Sequence, residues 1–451
     1  MPQTKQHNAT REQRIARGRS ARIAVPRSSH AEFPASGRPP GLLALLASQD
    51  TGRVPELLPV RYGRMAVSPL AYFQGAALPA AHDLAATPRT GLLVQACGDA
   101  HLMNFGLFAS PGRRVVFDIA DFDETLPAPW EWDVKRLAAS IEVTGRENGH
   151  PPAQRRRSVL AAVEAYGDAM HDFAGRSTQE LWCARADAET LRAIAAHRFA
   201  ADRRRARAAE PGIPHKLTKT RQLAQSPSAV PLGRLAGDGD PATLLERLDL
   251  VLARYRRALG PDRRALLDRY HLADVARKAP GVGGVGVRSW LALLLSAEAE
   301  EPLFLQVKEA RPSVLAPYTD AIPGGDGRRV VTGQRQLQAI GDVFLGWVRA
   351  DAFDGLRRDF YFRQLRDDRG IADVTTMPSA MLRAYARLCG WTLARAHART
   401  GDPLSIAVYL GTGPAFAEAV REFAVQCADR TERDHTELRA AIRAGRIPAA
   451  G

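Results

Sequence analysis

The sequence predicts an α+β protein with two lobes, a helix-rich large lobe and a small lobe built on an antiparallel sheet. Helical composition dominates residues 150–265 and returns after Pro378, while glycine clusters and short apolar runs fill the interval from Tyr270 to Leu365. At 451 residues the chain has room for two or three structural units of about 100–200 residues each.

Four stretches follow in order. Residues 1–40 are rich in Arg, Ser, Gly and Pro and lack periodic apolar positions, so a disordered basic arm is expected there. Residues 41–265 hold a strand-and-loop segment and then the helices of the large lobe. Leu92–Val94 read as a buried strand leading into Cys97-Gly98-Asp99. Phe105–Ala109 and Arg114–Phe117 read as two strands joined by the turn sequence Ser110-Pro111-Gly112-Arg113. A helix then begins at Asp133, taken as its N-cap, with Val134, Leu137, Ala138 and Ile141 on one apolar face. A Pro- and Ser-containing stretch from Pro211 to Leu232 interrupts the helices that follow. Residues 266–372 form the small lobe, with strands at Leu303–Val307, Arg329–Val331 and Phe360–Leu365 and a helix over Gln334–Val348. Residues 373–451 are helices completing the large lobe. Leu382, Tyr385, Cys389 and Leu393 share one face of the first, and Arg383, Arg387, Arg395 and Arg399 another.

Composition narrows the function classes. The 45% hydrophobic and 25% charged residues are those of an ordinary soluble fold. No run approaches the roughly 18 apolar residues of a membrane span, and the first thirty residues contain no apolar signal segment, so a cytoplasmic location is expected. Cys97, Cys183, Cys389 and Cys427 lie far apart with no CxxC pair, which argues against a disulfide framework or zinc knuckle. The net charge of +14 suggests a polyanion partner, held through the arm arginines 11, 14, 17, 19, 22 and 27 or the cluster Arg203, Arg204, Arg205 and Arg207. Solvated arginine on helix surfaces accounts for the same charge.

Two motifs carry chemistry. Gly98-Asp99-Ala100-His101-Leu102-Met103-Asn104 follows a strand, and Asp118, Asp121, Asp123 and Glu124 come soon after it. Phosphoryl transfer needs a carboxylate to take the nucleophile's proton, and an amide with a carboxylate to hold Mg²⁺ against nucleotide phosphates. Asp99 and Asn104 have the D-x-x-x-x-N spacing of a kinase catalytic loop. Asp99 and His101 are therefore the candidate catalytic pair, with Asn104, Asp118 and Asp121 as metal ligands. The alternative is that these residues cap turns and line a solvated loop. The second motif is the loop containing Gly281, Gly283, Gly284 and Gly286, followed by the apolar strand Leu305-Gln306-Val307-Lys308. Glycines admit phosphates close to backbone N–H groups, and a lysine at that strand position pairs nucleotide phosphates. A plain hairpin with a surface lysine is the structural alternative. The glutamate that would hold such a lysine is missing, since none occurs between Glu309 and Gly370, and Gln334, Gln338 or Asp342 are the substitutes.

In an ordinary kinase the glycine loop and lysine precede the catalytic loop; here they follow it. A circular permutation restores the order: from Tyr270 the chain supplies glycine loop, lysine, helix, a hinge-like strand at Phe360–Leu365 and a further helix, and the N-terminal half then supplies the catalytic loop. Closely spaced termini permit such rewiring.

The segments Leu58–Met65, Gly98–Gly106, Phe117–Thr125, Glu131–Leu137 and Leu305–Ala310 resemble the uncharacterised bacterial domain-of-unknown-function family DUF2252. The resemblance covers nearly everything after the arm. It implies a protein-kinase-like fold, with Gly98–Asn104 similar to the catalytic loops of aminoglycoside and choline phosphotransferases, Asp99 as base, and Asn104 with Asp118 on the metal. Cys97 stands where those enzymes usually have histidine, and Ala120 and Gln74 where the family is expected to have Asn and Arg. The expected function is a Mg²⁺- and ATP-dependent phosphotransferase with an unknown acceptor. The rivals are a nucleotide-binding pseudokinase or sensor without turnover, and a two-metal phosphoesterase. The last shares the Gly-Asp-x-His opening but lacks an Asn-His pair, having only a reversed His7-Asn8. Arg61, Tyr62 and Arg64 are candidates to grip a phosphate or to salt-bridge the acids at 118–124.

Overall fold

Thr10 and Gln13 form a capping box, in which Thr10 Oγ1 accepts from Gln13 N at 3.2 Å and Gln13 Oε1 from Thr10 N at 2.9 Å. The box starts helix α1 (Arg11–Ala24), so the segment expected to be a disordered arm is folded over residues 9–34. In this computed structural model the described residues are 9–34, 38–109, 115–187, 229–230, 241–278, 281–297, 301–320, 324–351, 355–365 and 373–450. Arg14 pairs with Asp402 at 2.6 Å, while Arg22 and Arg27 donate to the carbonyls of Tyr409 and Leu410 at 2.8 and 2.6 Å. Those carbonyls end a later helix and have no partner within it. A Cβ on Gly18 would lie 2.5 Å from Ser405 O, so the two helices touch backbone to backbone. Three arginines expected to await an anionic partner thus serve the fold. The cluster at Arg203–Arg207 and the turn at 110–113 lie outside the described residues.

Four short helices follow: α2 (Leu42–Asp50), α3 (Leu58–Met65), α4 (Pro69–Gly75) and α5 (Ala77–Ala85). Strand β1 (Leu93–Ala96) pairs antiparallel with β4 (Leu126–Pro129), enclosing the hairpin of β2 (Phe105–Ala109) and β3 (Val115–Ile119). The hairpin was expected. Helix α6 (Trp130–Glu147) starts three residues before Asp133, so Asp133 lies inside its first turn and is not its N-cap. Helices α7 (Pro152–Ala174) and α8 (Thr178–Cys183) complete this half. α6 is buried along nearly its whole length, between α7 and the C-terminal helices.

Strand β5 (Ala229–Val230) and helices α9 (Pro241–Ala258) and α10 (Pro261–Leu267) lead into a six-stranded antiparallel sheet. Its order is β5-β6-β7-β8-β10-β9, with β6 (Tyr270–Lys278), β7 (Ser289–Ser296), β8 (Pro302–Ala310), β9 (Gly346–Asp351) and β10 (Arg357–Gln364). Helix α11 (Asp326–Leu337) connects β8 to β9. The helix expected over Gln334–Val348 is therefore displaced, and Arg329–Val331, expected as a strand, lie within it. Val330, Val331, Gln334 and Leu337 form its buried face, and Gly333 lets it approach Thr125, whose Cγ2 would be 2.3 Å from an added Cβ. α9 packs on the sheet, Tyr255 stacking on Phe362 with centroids 3.8 Å apart.

Helices α12 (Ser379–Ala398), α13 (Pro403–Leu410) and α14 (Ala415–Arg443) close the helical half against α6 and α7. Leu382, Tyr385, Cys389 and Leu393 are buried together, as the spacing implied. Arg395, placed by that spacing among the arginines of the other face, is buried as well. Among the described residues no helix is long and apolar enough to cross a membrane.

Candidate functional site

The loop leaving β1 is pinned from beneath by α6. Asp133 accepts hydrogen bonds from Cys97 N (2.7 Å) and Gly98 N (3.0 Å), and His397 Nε2 lies 3.1 Å from the same carboxylate. The other ring nitrogen of His397 meets Tyr166 OH at 2.9 Å. Gly98 has a positive φ of 87°, and a Cβ there would lie 2.4 Å from Glu124 O, so only glycine fits. This turn presents Asp99, whose Oδ1 accepts from Arg136 Nε at 2.9 Å. Arg136 is itself held over the Phe73 ring at 3.6 Å. His101 Nε2 lies 3.7 Å from Asp99 Oδ2. Burial keeps the imidazole below its ordinary pKa despite the pull of Asp99, so it is neutral at pH 7. Asn104 Nδ2 donates to Asp99 O at 2.8 Å, and Asn104 O accepts from Ala120 N at 2.8 Å. The second bond sets the Gly98–Asn104 loop beside the acids that follow β3.

Those acids divide. Asp118 is buried on β3, paired with Arg395, and accepts from Ala339 N at 2.7 Å and Ile119 N at 2.9 Å. Its expected role as a metal ligand is not what its surroundings serve, because side chains alternate along a strand and this one faces α12. Asp121 lies past the strand end. Burial raises its carboxyl, but Lys308 and Arg363 outweigh burial and leave it below its usual value. Asp123, which went unassigned in the sequence, accepts from Lys308 Nζ and, at 2.7 Å, from Tyr361 OH. Burial opposes the Lys308 ammonium, yet Asp123, Tyr361 and Asp121 hold its pKa above the ordinary lysine value. The β8 lysine and the acids after β3, far apart in sequence, thus meet. The substitutes considered for its missing glutamate do not hold it. Gln334 donates to Gln338, Gln338 to Ile119 O, and Asp342 accepts from Gln364 N and Phe344 N. Glu124 Oε2 accepts from Val314 N at 2.7 Å, and burial pushes its carboxyl up to about 7.

The glycine loop folds as a short turn over Val282–Gly284; Ala279 and Pro280 lie outside the described residues. The amides of Gly284 and Val287 bond within the loop, at 2.8 and 3.1 Å. Arg53 donates to Val285 O at 2.5 Å, and Arg61 to Val282 O at 3.4 Å. Gly283 and Gly284 line a cavity of about 480 Å³ that also takes in Asp123 and Glu124, and Gly281 and Gly286 are not in its lining. Arg61 and Tyr62 both bond Asp50, Arg61 at 2.9 Å. They grip neither an open phosphate site nor the acids at 118–124.

Asp133, Arg136, Tyr361 and Arg363 were given no role at the site by the sequence. All four lay in segments named above, Asp133 and Arg136 at the spacing of one helix turn that puts both against the Cys97–Asp99 loop. Asn104 and Asp121 fit a magnesium ion by donor chemistry. Both offer hard oxygens, and the amide nitrogen of Asn104 is already committed to Asp99 O. Among the described residues no group of three or more His, Cys, Asp or Glu side chains is placed to hold a metal ion. The helical half and the sheet thus bring Asp121 and Asp123 against Lys308. Residues 53–441 match the family described as "Uncharacterized protein conserved in bacteria (DUF2252)", and the chain belongs to that family. No curated protein and no solved structure matches it.

Proposed function

We propose that the protein is a Mg²⁺- and ATP-dependent phosphotransferase of the protein-kinase-like kind, with its two lobes in permuted order. The observation that carries this reading is the contact of Lys308 with Asp123 beside Asp121. A lysine on a sheet strand and an acid just past the catalytic loop are the two sides between which kinases hold nucleotide phosphates. The sheet lends support: a glycine turn joins β6 to β7, β8 carries the lysine, and a helix follows before the last two strands. That helix, α11, brings no glutamate to the lysine, and Asp123 takes its place.

In this reading Lys308 pairs nucleotide phosphates after releasing Asp123. Asn104 and Asp121 would hold Mg²⁺, which offsets phosphate charge when bound. Asp99 accepts the proton of the acceptor hydroxyl as its oxygen bonds the γ-phosphorus and the bond to the ADP oxygen breaks. Arg136 orients Asp99, and neutral His101 adds no charge beside it. The sensor without turnover remains the second reading, favoured by the 2.9 Å bond that ties Asp99 to Arg136. Titration of ATP with and without Mg²⁺, followed by a γ-phosphate label, tests both. Mg²⁺-dependent binding with label transferred to an acceptor or water supports the enzyme. Binding without transfer supports the sensor, and no saturable binding rejects both.

A further inference from the structure

The 480 Å³ cavity is lined by arginines as well as by Gly283 and Gly284. Arg53, Arg311, Arg349, Arg357 and Arg358 line it together with Asp123, Glu124, Glu309, Asp326 and Asp359, and Asp359 pairs with Arg349 at 2.7 Å. The partners of the other arginines are unequal. Arg358 is matched by Glu309 at 3.0 Å. Arg311 donates to two backbone carbonyls, Gln49 O at 3.1 Å and Thr51 O at 2.5 Å. Carbonyls orient a guanidinium without cancelling its charge. Among the described residues no carboxylate lies within ion-pair distance of Arg311 or Arg357. Arg53 comes within 3.5 Å only of Asp50, which already pairs with Arg61 at 2.9 Å and takes the Tyr62 hydroxyl. Arg53 thus shares its one carboxylate, Asp50, with Arg61, and Arg311 and Arg357 meet none at ion-pair distance among the described residues. Burial and mutual repulsion lower the pKa of Arg53 to about 9, as expected where cations lack a counter-charge.

The cavity's place in the sheet tells which anion would enter. Along β10, Gln364 pairs with Leu305, Tyr361 with Lys308 and Asp359 with Ala310. The cavity lies at the Ala310 and Asp359 end, and β10 leaves for the helical half at the Gln364 end. In the phosphotransferase reading the nucleotide base would lie at the Gln364 end and its phosphates would reach toward Lys308. The cavity lies beyond Lys308, on the side from which a terminal phosphate departs, and Asp123 joins the two spaces.

We infer that this arginine-walled cavity is the acceptor site, and that it holds a phosphate or carboxylate group carried by the acceptor. The inference rests on the phosphotransferase reading for the word acceptor; the anion site itself stands on the cavity. Arginine suits such a group because its planar fork matches both anions.

The test is calorimetric titration of the full-length protein with inorganic phosphate, alone and with saturating Mg²⁺ and a non-hydrolysable ATP analogue. Phosphate is expected to bind in both conditions. Arg311→Gln is expected to weaken it about tenfold or more and to leave the analogue's affinity unchanged within about twofold. Arg311→Lys, which keeps the charge, should recover part of the loss. If Arg311→Gln fails to fold, Arg357→Glu at the exposed rim reports instead, through weaker phosphate binding at an unchanged Tm. Phosphate that is displaced by the analogue, with Arg311→Gln weakening the analogue, would assign the cavity to the nucleotide and overturn the inference. So would the absence of phosphate binding to the wild type at millimolar concentration. Phosphate binding that depends on Arg311 while no nucleotide binds would instead defeat the phosphotransferase reading and leave the anion site standing.

Discussion

Asp118 and Asp121 stand three residues apart, one on strand β3 and one just past it, and they live in opposite surroundings. Asp118 is sealed against Arg395 and two backbone amides, so its charge is fully answered inside the fold. Asp121 faces Lys308 and Arg363 across the gap between helical half and sheet, and shares the Lys308 ammonium with Asp123. A carboxylate with both oxygens engaged by buried donors is a structural tie. One that is half-buried beside Lys308 and Arg363 at a seam is available to a ligand. Identical residue types in one motif can therefore divide into tie and tool, and the partner rather than the letter decides.

The largest effect expected is on the tie. Asp118→Ala leaves Arg395 buried and unpaired, which should cost about 3–5 kcal/mol of stability, read by chemical denaturation. Asp121→Asn should leave stability within about 1 kcal/mol of wild type and weaken Mg²⁺-dependent ATP binding by at least about tenfold, read by calorimetry. Lys308→Met should weaken ATP binding about tenfold whether or not Mg²⁺ is present, since it removes one charge-assisted contact to phosphate. An Asp121→Asn protein that unfolds would erase the distinction between the two acids.

The most gradual effect is a pH slope. The Glu124 carboxyl titrates near 7 when folded, against an ordinary 4.5. Between those values the folded chain keeps a proton that the unfolded chain has lost, so stability falls as pH rises from 4.5 toward 7. The slope from this group is at most about 1.4 kcal/mol per pH unit. Glu124→Gln should flatten that part of a Tm-against-pH curve.

Much of this was legible before any coordinates. The β2–β3 hairpin, the loop at Gly98–Asn104 and the lysine ending an apolar strand all follow from local pattern. What the sequence could not supply was partnership at long range. Asp133 looks like a helix cap because the amides it binds, at Cys97 and Gly98, belong to an earlier loop. Arg395 looks like one of a surface row because its partner lies on β3. The basic arm misled for another reason: arginine and glycine suggested disorder, although Thr10 and Gln13 already spelled a capping box and Gly18 with Ala21 the small face on which α1 docks. Charge composition outweighed that local signal.

One paired measurement goes to the centre. Asp118→Asn and Asp121→Asn, each shown folded by thermal melting, are titrated with ATP in the presence and absence of Mg²⁺. The expected result is that Asp118→Asn keeps the magnesium-dependent gain in affinity and Asp121→Asn loses it. The reverse pattern, or loss of the gain in neither, would contradict a phosphate-and-magnesium cleft built between Lys308 and Asp121.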